Sequence, residues 1–160
     1  MTTLLFLKWL HILSATVLFG TGMGTAFALW AAHRRGDACG IALVARNVAT
    51  ADWVFTTPTV VLQPLTGVAL ALTYGWPLST FWIAASLVLY VLIGACWLPV
   101  VWLQLKMRDL AVAAVAQGQE LPALYWHYAR RWEILGYPAF FMGLVIFWLM
   151  IAKPDSFAAM

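Results

Sequence analysis

The chain has 160 residues, of which 64% are hydrophobic and 9% charged, and its formal net charge is +3. This composition excludes a soluble globular domain and indicates a protein that is integral to a lipid bilayer, with a length that suits one domain. The two cysteines are isolated and form no zinc or c-type haem motif. The basic residues are few, so no nucleic-acid partner is expected.

Four apolar segments are each long enough to cross a bilayer, because a spanning helix needs about 20 apolar residues. They run over about 3–32, 51–74, 80–105 and 132–152. Short links between neighbours predict an all-α fold, a four-transmembrane-helix antiparallel bundle that forms a single domain over residues 1–160. Residues 109–119 are expected to continue the third helix or to form an interfacial helix.

The basic residues are concentrated in two of the connections between spans. These residues are Arg34, Arg35, Arg46, Lys106, Arg108, Arg130 and Arg131. The positive-inside rule places both connections in the cytoplasm, whereas the uncharged link over 75–79 faces outward. We therefore expect a multi-pass protein of a bacterial inner membrane with both termini on the outer, periplasmic side.

The first span carries His11 within an apolar run. An ionisable side chain inside a membrane span indicates a functional site, and imidazole is the commonest metal and haem ligand. Lys8 lies on the same helical face. His33 and His127 lie at the inner surface and are weaker candidates, while a buried hydrogen-bonding role is the alternative for His11.

The same span contains Gly20, Gly22 and Gly24. The Gly20-x-x-x-Gly24 spacing favours close packing of another helix. The alternative is that the missing side chains leave room for a flat ligand, with Gly22 on roughly the same face as His11 and Ser14.

The second span has a polar stripe at helical spacing, formed by Asp52, Thr56, Thr59, Gln63 and Thr66. The stripe is either a set of interhelical hydrogen bonds or the lining of a ligand site, and it would meet His11 if the first two spans are neighbours. Pro58 and Pro64 each free a carbonyl about one turn earlier, which neighbouring polar groups can satisfy. We expect Asp52 to have a structural role, near the helix dipole and paired with Arg46.

The fourth span ends near Met150, at a depth comparable with that of His11. Methionine is a known axial haem ligand, but it is more often a flexible filler of cores. Met150 is therefore a candidate second ligand and equally a candidate packing residue.

Several short segments resemble a bacterial family of predicted integral membrane proteins classed as a domain of unknown function, over nearly the full chain. The segments are Lys8–His11, Ala51–Pro58, Leu62–Gly67, Ala95–Pro99 and Trp148–Pro154.

The histidines of the first span, His11 and His33, and the residues Pro58, Thr66 and Gly67 look like a second group of proteins. These are the HemJ-type protoporphyrinogen oxidases, which bind haem b and are loosely related to CopD-type membrane domains. This resemblance implies that His11 is a haem ligand. Ser86 stands where HemJ-type proteins have an important lysine. The resemblance therefore allows haem binding but does not imply the protoporphyrinogen oxidase reaction.

The leading functional hypothesis is a b-type haem protein that transfers electrons or acts as an oxidoreductase, with a quinone or another redox partner. Its haem b would be bound by His11, Lys8, Trp9, Gly22, Gln63, Thr66, Trp82 and Ser86. The second axial ligand is Met150, Gln63, water or none, and a homo-oligomer is expected. The alternatives are a CopD-like metal-handling or transport module and a cofactor-free membrane assembly subunit.

Overall fold

The computed structural model describes residues 2–156, and this part of the chain is helical apart from short links. The helices are α1 (Thr2–Arg35), α2 (Ala38–Ala51), α3 (Thr57–Thr73), α4 (Phe81–Ala116) and α5 (Ala123–Ala152). A π-helical turn, Asp52–Thr56, joins α2 to α3 without a break. The all-helical prediction with four membrane-spanning helices is confirmed, since α1, α2–α3, α4 and α5 are each long and apolar enough to cross a bilayer.

The helices extend beyond the apolar segments that predicted them. The continuous helix formed by α2, the π turn and α3 begins at Ala38, α4 continues to Ala116, and α5 begins at Ala123. Polar residues outside the apolar runs are therefore helical, and residues 109–116 continue the third helix, one of the two alternatives expected for them. The predicted domain also includes Met1 and residues 157–160, which lie outside the described residues.

A two-residue turn reverses the chain between α1 and α2. Gly36 has a positive φ of 73°, which glycine adopts without steric cost at a helix C-terminus. Asp37 then caps α2, because its carboxylate accepts a hydrogen bond of 2.7 Å from the Gly40 backbone N–H. The result is that α2 folds back along α1.

The helices pack in an order that brings α1 against both α2 and α3, and α4 against both α2 and α5. The larger core gathers residues of α1, α2, α4 and α5, among them Leu29, Ile41, Met107 and Tyr125. A smaller core, at the end of the bundle where α1 begins and α5 ends, contains Ala71, Trp82 and Leu149. We call this end the termini end and the opposite one the basic end.

Many large apolar side chains point away from both cores. They include Phe27, Leu72, Val91, Leu98 and Ile151, each more than half exposed. Such a surface is stable in a hydrocarbon environment, where apolar side chains face lipid and every backbone polar group is bonded internally. The surface therefore agrees with a bilayer as the environment of this protein.

Pro64 lies inside α3 and removes a hydrogen bond that the Val60 carbonyl would otherwise accept. The Tyr90 hydroxyl of α4 donates to this carbonyl at 2.7 Å. The expectation that a neighbouring polar group satisfies the freed carbonyl is confirmed at this proline. At the π turn just before Pro58, the Asp52 carbonyl accepts from both the backbone N–H and the hydroxyl of Thr57, the latter at 2.9 Å.

The prediction of close helix packing at Gly20 and Gly24 is wrong within the described chain. A Cβ atom added at Gly20, Gly22 or Gly24 would meet no heavy atom within 4 Å. The close approaches occur instead at Gly67, beside the His11 ring, and at Gly143, beside the Phe19 ring. The glycine motif of α1 therefore faces outward, since spacing along a helix does not fix which side meets a neighbour.

Candidate functional site around His11

The His11 imidazole lies between α1 and α3, where it contacts two residues of the polar stripe. Its Nδ1 is 2.8 Å from the Thr66 hydroxyl oxygen. Its Nε2 is 3.3 Å from the side-chain nitrogen of Gln63. The expectation that the His11 face of the first span meets the stripe near Gln63 is confirmed.

The hydrogen bonds of Thr66 determine which nitrogen of His11 carries the proton. The Thr66 hydroxyl donates to the Leu62 carbonyl at 2.7 Å, so its oxygen is left to accept. His11 Nδ1–H is then the donor to Thr66, and Nε2 keeps its lone pair and accepts from the Gln63 amide. In this arrangement each hydrogen-bond donor among these groups faces an acceptor.

Ser14 completes the network one turn further along α1. Its hydroxyl donates to the Gln63 side-chain oxygen and lies 3.0 Å from the His11 carbonyl. This contact holds the amide of Gln63 with its nitrogen toward His11. Ser14 is buried, and its position on the His11 face was the signal that could have placed it in the site.

Gly67 allows the imidazole to lie directly against α3. A Cβ atom at this position would be 3.1 Å from His11 Cε1, a contact that requires one of the two to shift. The ring is thus held by a hydrogen bond on one side and by the α3 backbone on another. These contacts make His11 a well-positioned side chain rather than a freely rotating one.

An aromatic cluster with two lysines lies at the termini end, beyond the His11 network. Tyr74 and Trp76 stack with ring centroids 4.6 Å apart, and Trp76 meets Trp82 edge-on at 5.3 Å. Lys8 lies over the Tyr74 ring at 6.0 Å and Lys153 over the Trp76 ring at 4.7 Å. The structure therefore brings Lys8 and Trp82 to one place, together with Lys153.

Four more of the predicted site residues also lie outside the His11 network. Trp9 is mostly exposed and contacts Phe6 of its own helix. Gly22 lies eleven residues beyond His11 along α1, a distance of about 16 Å at 1.5 Å per residue. Ser86 is buried and donates to the Trp82 carbonyl at 2.7 Å. Met150 packs against the smaller core.

Within residues 2–156 no three His, Cys, Asp or Glu side chains converge in a way that could hold a metal ion. The His11 network contains one such side chain, His11 itself. Any metal held there would bring most of its own coordination sphere, as the iron of a porphyrin does.

The comparison with known families covers nearly all of the helical bundle. Residues 5–154 match the model of the DUF2269 family, described as predicted integral membrane proteins. The chain belongs to the DUF2269 family. The predicted membership of a membrane family of unknown function is confirmed, whereas no curated protein and no solved structure matches the chain.

The second histidine of α1 in this DUF2269 protein has a different environment. His33 Nε2 is 2.7 Å from the Tyr125 hydroxyl, and its ring meets the edges of Tyr125 and Trp126. The bond ties α1 to α5 at the basic end. His127 lies beside Tyr128, away from His11.

Asp52 is buried at the π turn, and it does not pair with Arg46 as the sequence suggested. Its Oδ1 accepts from the Thr56 hydroxyl at 2.9 Å, and Arg46 is exposed. Among residues 2–156, Asp52 Oδ2 and the side-chain oxygen of buried Gln104 have no hydrogen-bond partner. Sequence reasoning missed Gln104, although a single glutamine in the apolar run of α4 was a usable signal.

Proposed function

We propose that this protein is a b-type haem protein of a bacterial inner membrane, with His11 as an axial ligand of the iron. The observation that carries the proposal is the 2.8 Å hydrogen bond from His11 Nδ1 to Thr66. Histidines that bind metals donate their other ring N–H to a fixed acceptor, which sets the tautomer and the ring orientation. Thr66 is such an acceptor, because its own proton is committed to the Leu62 carbonyl.

His11 Nε2 is the nitrogen that would bind iron. Its present partner, the Gln63 amide nitrogen, is 3.3 Å away, at the long end of hydrogen-bond distances. An imidazole–iron bond needs this space, so Gln63 would move aside when iron binds. Gln63 is only half-buried, which leaves its side chain room to move.

The two lysines of the termini end support the same proposal. A haem carries two carboxylates, which need cations or water when they lie in a membrane protein. Lys8 and Lys153 lie at the end of the bundle nearer to His11 and would bind these carboxylates, with Trp76 and Trp82 beside them. The resemblance of the first two spans to HemJ-type proteins implies the ligand role of His11 only.

Bound haem would supply one-electron chemistry, so we propose electron transfer or an oxidoreductase activity with a quinone or another small redox partner. Ser86, in place of the lysine of HemJ-type proteins, is bonded to its own helix and offers no cation. The proposal therefore does not include protoporphyrinogen oxidation. The distribution of arginines supports an orientation with the basic end in the cytoplasm.

The test is an absorption spectrum of the protein purified in detergent from haem-replete cells. We expect a Soret band in the wild type and its loss in His11→Ala. His33→Ala is the matched control, because it removes a half-buried, hydrogen-bonded histidine from the same helix. A Soret band that survives in His11→Ala would overturn the ligand assignment.

A colourless wild-type protein would overturn haem binding itself. Stoichiometric copper in such a sample would favour the metal-handling alternative, and the absence of both cofactors would favour an assembly subunit.

A further inference from the structure

A cavity of about 260 Å³ lies at the π turn, on the side of the continuous α2–α3 helix that faces α4. Asp52 and Gln104 line it from opposite helices, and the indoles of Trp53, Trp97 and Trp102 form much of the wall. This cavity is separate from the His11 network. Asp52 precedes Thr66 by fourteen residues, which corresponds to about 21 Å along the helix at 1.5 Å per residue.

Two of the polar atoms that line this cavity are hydrogen-bond acceptors without a donor. Asp52 and Gln104 are each more than nine-tenths buried. Within the described chain, Asp52 Oδ2 and Gln104 Oε1 have no hydrogen-bond partner. A buried acceptor that lacks a donor is costly, so the pair is matched by a ligand that donates hydrogen bonds.

The remaining properties of the cavity define the class of ligand. Three indoles and aliphatic side chains such as Leu98 and Val101 favour a flat, apolar ring over a bare metal ion, which needs an oxygen cage. Lys106 lies over the Trp102 ring at 5.9 Å, and the neighbouring links are basic, which disfavours an organic cation. Trp53 and Leu98 are largely exposed on the apolar surface, so the cavity is accessible from the lipid.

We propose that this cavity binds the ring of a membrane-dissolved hydroquinone. The ring lies among the indoles, one hydroxyl donates to the Asp52 carboxylate, and Gln104 offers a second acceptor. An apolar tail leaves past Leu98 into the bilayer. The oxidised quinone has carbonyl acceptors in place of hydroxyl donors, so it lacks the groups that this pair of acceptors needs.

The experiment is anaerobic equilibrium dialysis of the detergent-solubilised full chain with a decyl-substituted 1,4-benzohydroquinone, and separately with its quinone. We expect the hydroquinone to bind the wild type about tenfold more tightly, the ratio that one charge-assisted hydrogen bond supplies. Asp52→Leu should lower hydroquinone affinity about tenfold, to the level of the quinone, and leave quinone affinity unchanged. Gln104→Leu should produce a smaller loss of the same kind.

Two further variants separate ligand binding from a structural role of Asp52. Val101→Trp fills the cavity and keeps both acceptors, so it should abolish binding of either compound. Asp109→Leu removes an exposed carboxylate of α4 and should change neither affinity. Asp52→Leu also removes the acceptor of the buried Thr56 hydroxyl, so its unchanged quinone affinity is the sign that this variant keeps its fold.

Equal binding of quinone and hydroquinone by the wild type, or unchanged binding by Val101→Trp, would overturn the proposal. Loss of quinone binding together with hydroquinone binding in Asp52→Leu would assign Asp52 to folding instead. The site does not depend on haem, so His11→Ala should bind hydroquinone with wild-type affinity. A negative dialysis result would leave the conclusion from the Soret band unchanged. A missing Soret band would likewise leave the conclusion on hydroquinone binding unchanged.

Discussion

His11 and His33 lie on the same helix, about 33 Å apart at 1.5 Å per residue, and both are half-buried and hydrogen-bonded. They differ in which ring nitrogen is engaged. His33 uses Nε2 in a 2.7 Å bond to Tyr125 and is enclosed by two aromatic rings. His11 uses Nδ1 in its short bond and has only a 3.3 Å contact at Nε2.

Both histidines join α1 to another helix, and they differ in how firmly their partners are held. The Tyr125 partner of His33 is fully buried and belongs to the larger core. The Gln63 partner of His11 is half-buried, and its side-chain oxygen is held by the Ser14 hydroxyl. Burial and hydrogen bonding are common to both histidines and by themselves do not identify a ligand.

The largest effect on this comparison is expected from Gly67→Val. The new side chain would occupy the space of the His11 ring, since even a Cβ atom lies 3.1 Å from His11 Cε1. We expect the free energy of unfolding to fall by about 1–3 kcal/mol, as for other overpacked contacts, and the Soret band to be lost with the His11–Thr66 bond. Thermal unfolding and the absorption spectrum measure the two effects.

Gly143→Val is the control for Gly67→Val, because it overpacks Phe19 at a similar distance without touching His11. It should be destabilised and still bind haem. Full haem binding by Gly67→Val would show that the position of the His11 ring does not matter.

Thr66→Val is expected to have the second largest effect. The substitution keeps the shape of the side chain and removes the acceptor of His11 Nδ1–H, so the ring loses its fixed tautomer. The loss of such a partner lowers metal affinity about 10- to 100-fold, and we expect a fall of this size in haem affinity, measured by haem titration. Thr73→Val is the control, because Thr73 is exposed and bonded only to its own helix.

The smallest effect is expected from Tyr125→Phe, which removes the hydroxyl partner of His33. Interhelical hydrogen bonds in membrane proteins contribute about 0.6 kcal/mol on average, so the free energy of unfolding should fall by about this amount. Haem content should not change. Loss of the Soret band in this variant would mean that the two histidines are not independent.

The fold was largely predictable, and the candidate site only partly so. Continuous apolar runs predicted four spans because hydrocarbon excludes unpaired backbone groups. The spacing of the stripe predicted that Gln63 and Thr66 share a face, and the structure adds that this face meets His11. Sequence spacing could not show that Gly20 and Gly24 lie on the outward side of α1, since every face of that helix is similarly apolar.

The cavity at Asp52 is a second feature that sequence spacing could not predict. The stripe marked Asp52, but its relation to Gln104 depends on how α2 and α4 pack, and these helices are distant in sequence. The turn that carries Asp52 is π-helical, and no local propensity predicted it.

The sequence by itself determined that this chain is a four-span helical membrane protein and that a polar residue pattern interrupts its first two spans. These properties follow from hydrophobic length and helical period, which act locally. The tertiary structure alone decided that Thr66 binds His11 Nδ1, that Gln63 faces Nε2, and that Asp52 and Gln104 share a cavity. Each of these depends on the rotation of one helix against another, which is set by the packing of side chains far apart in the chain.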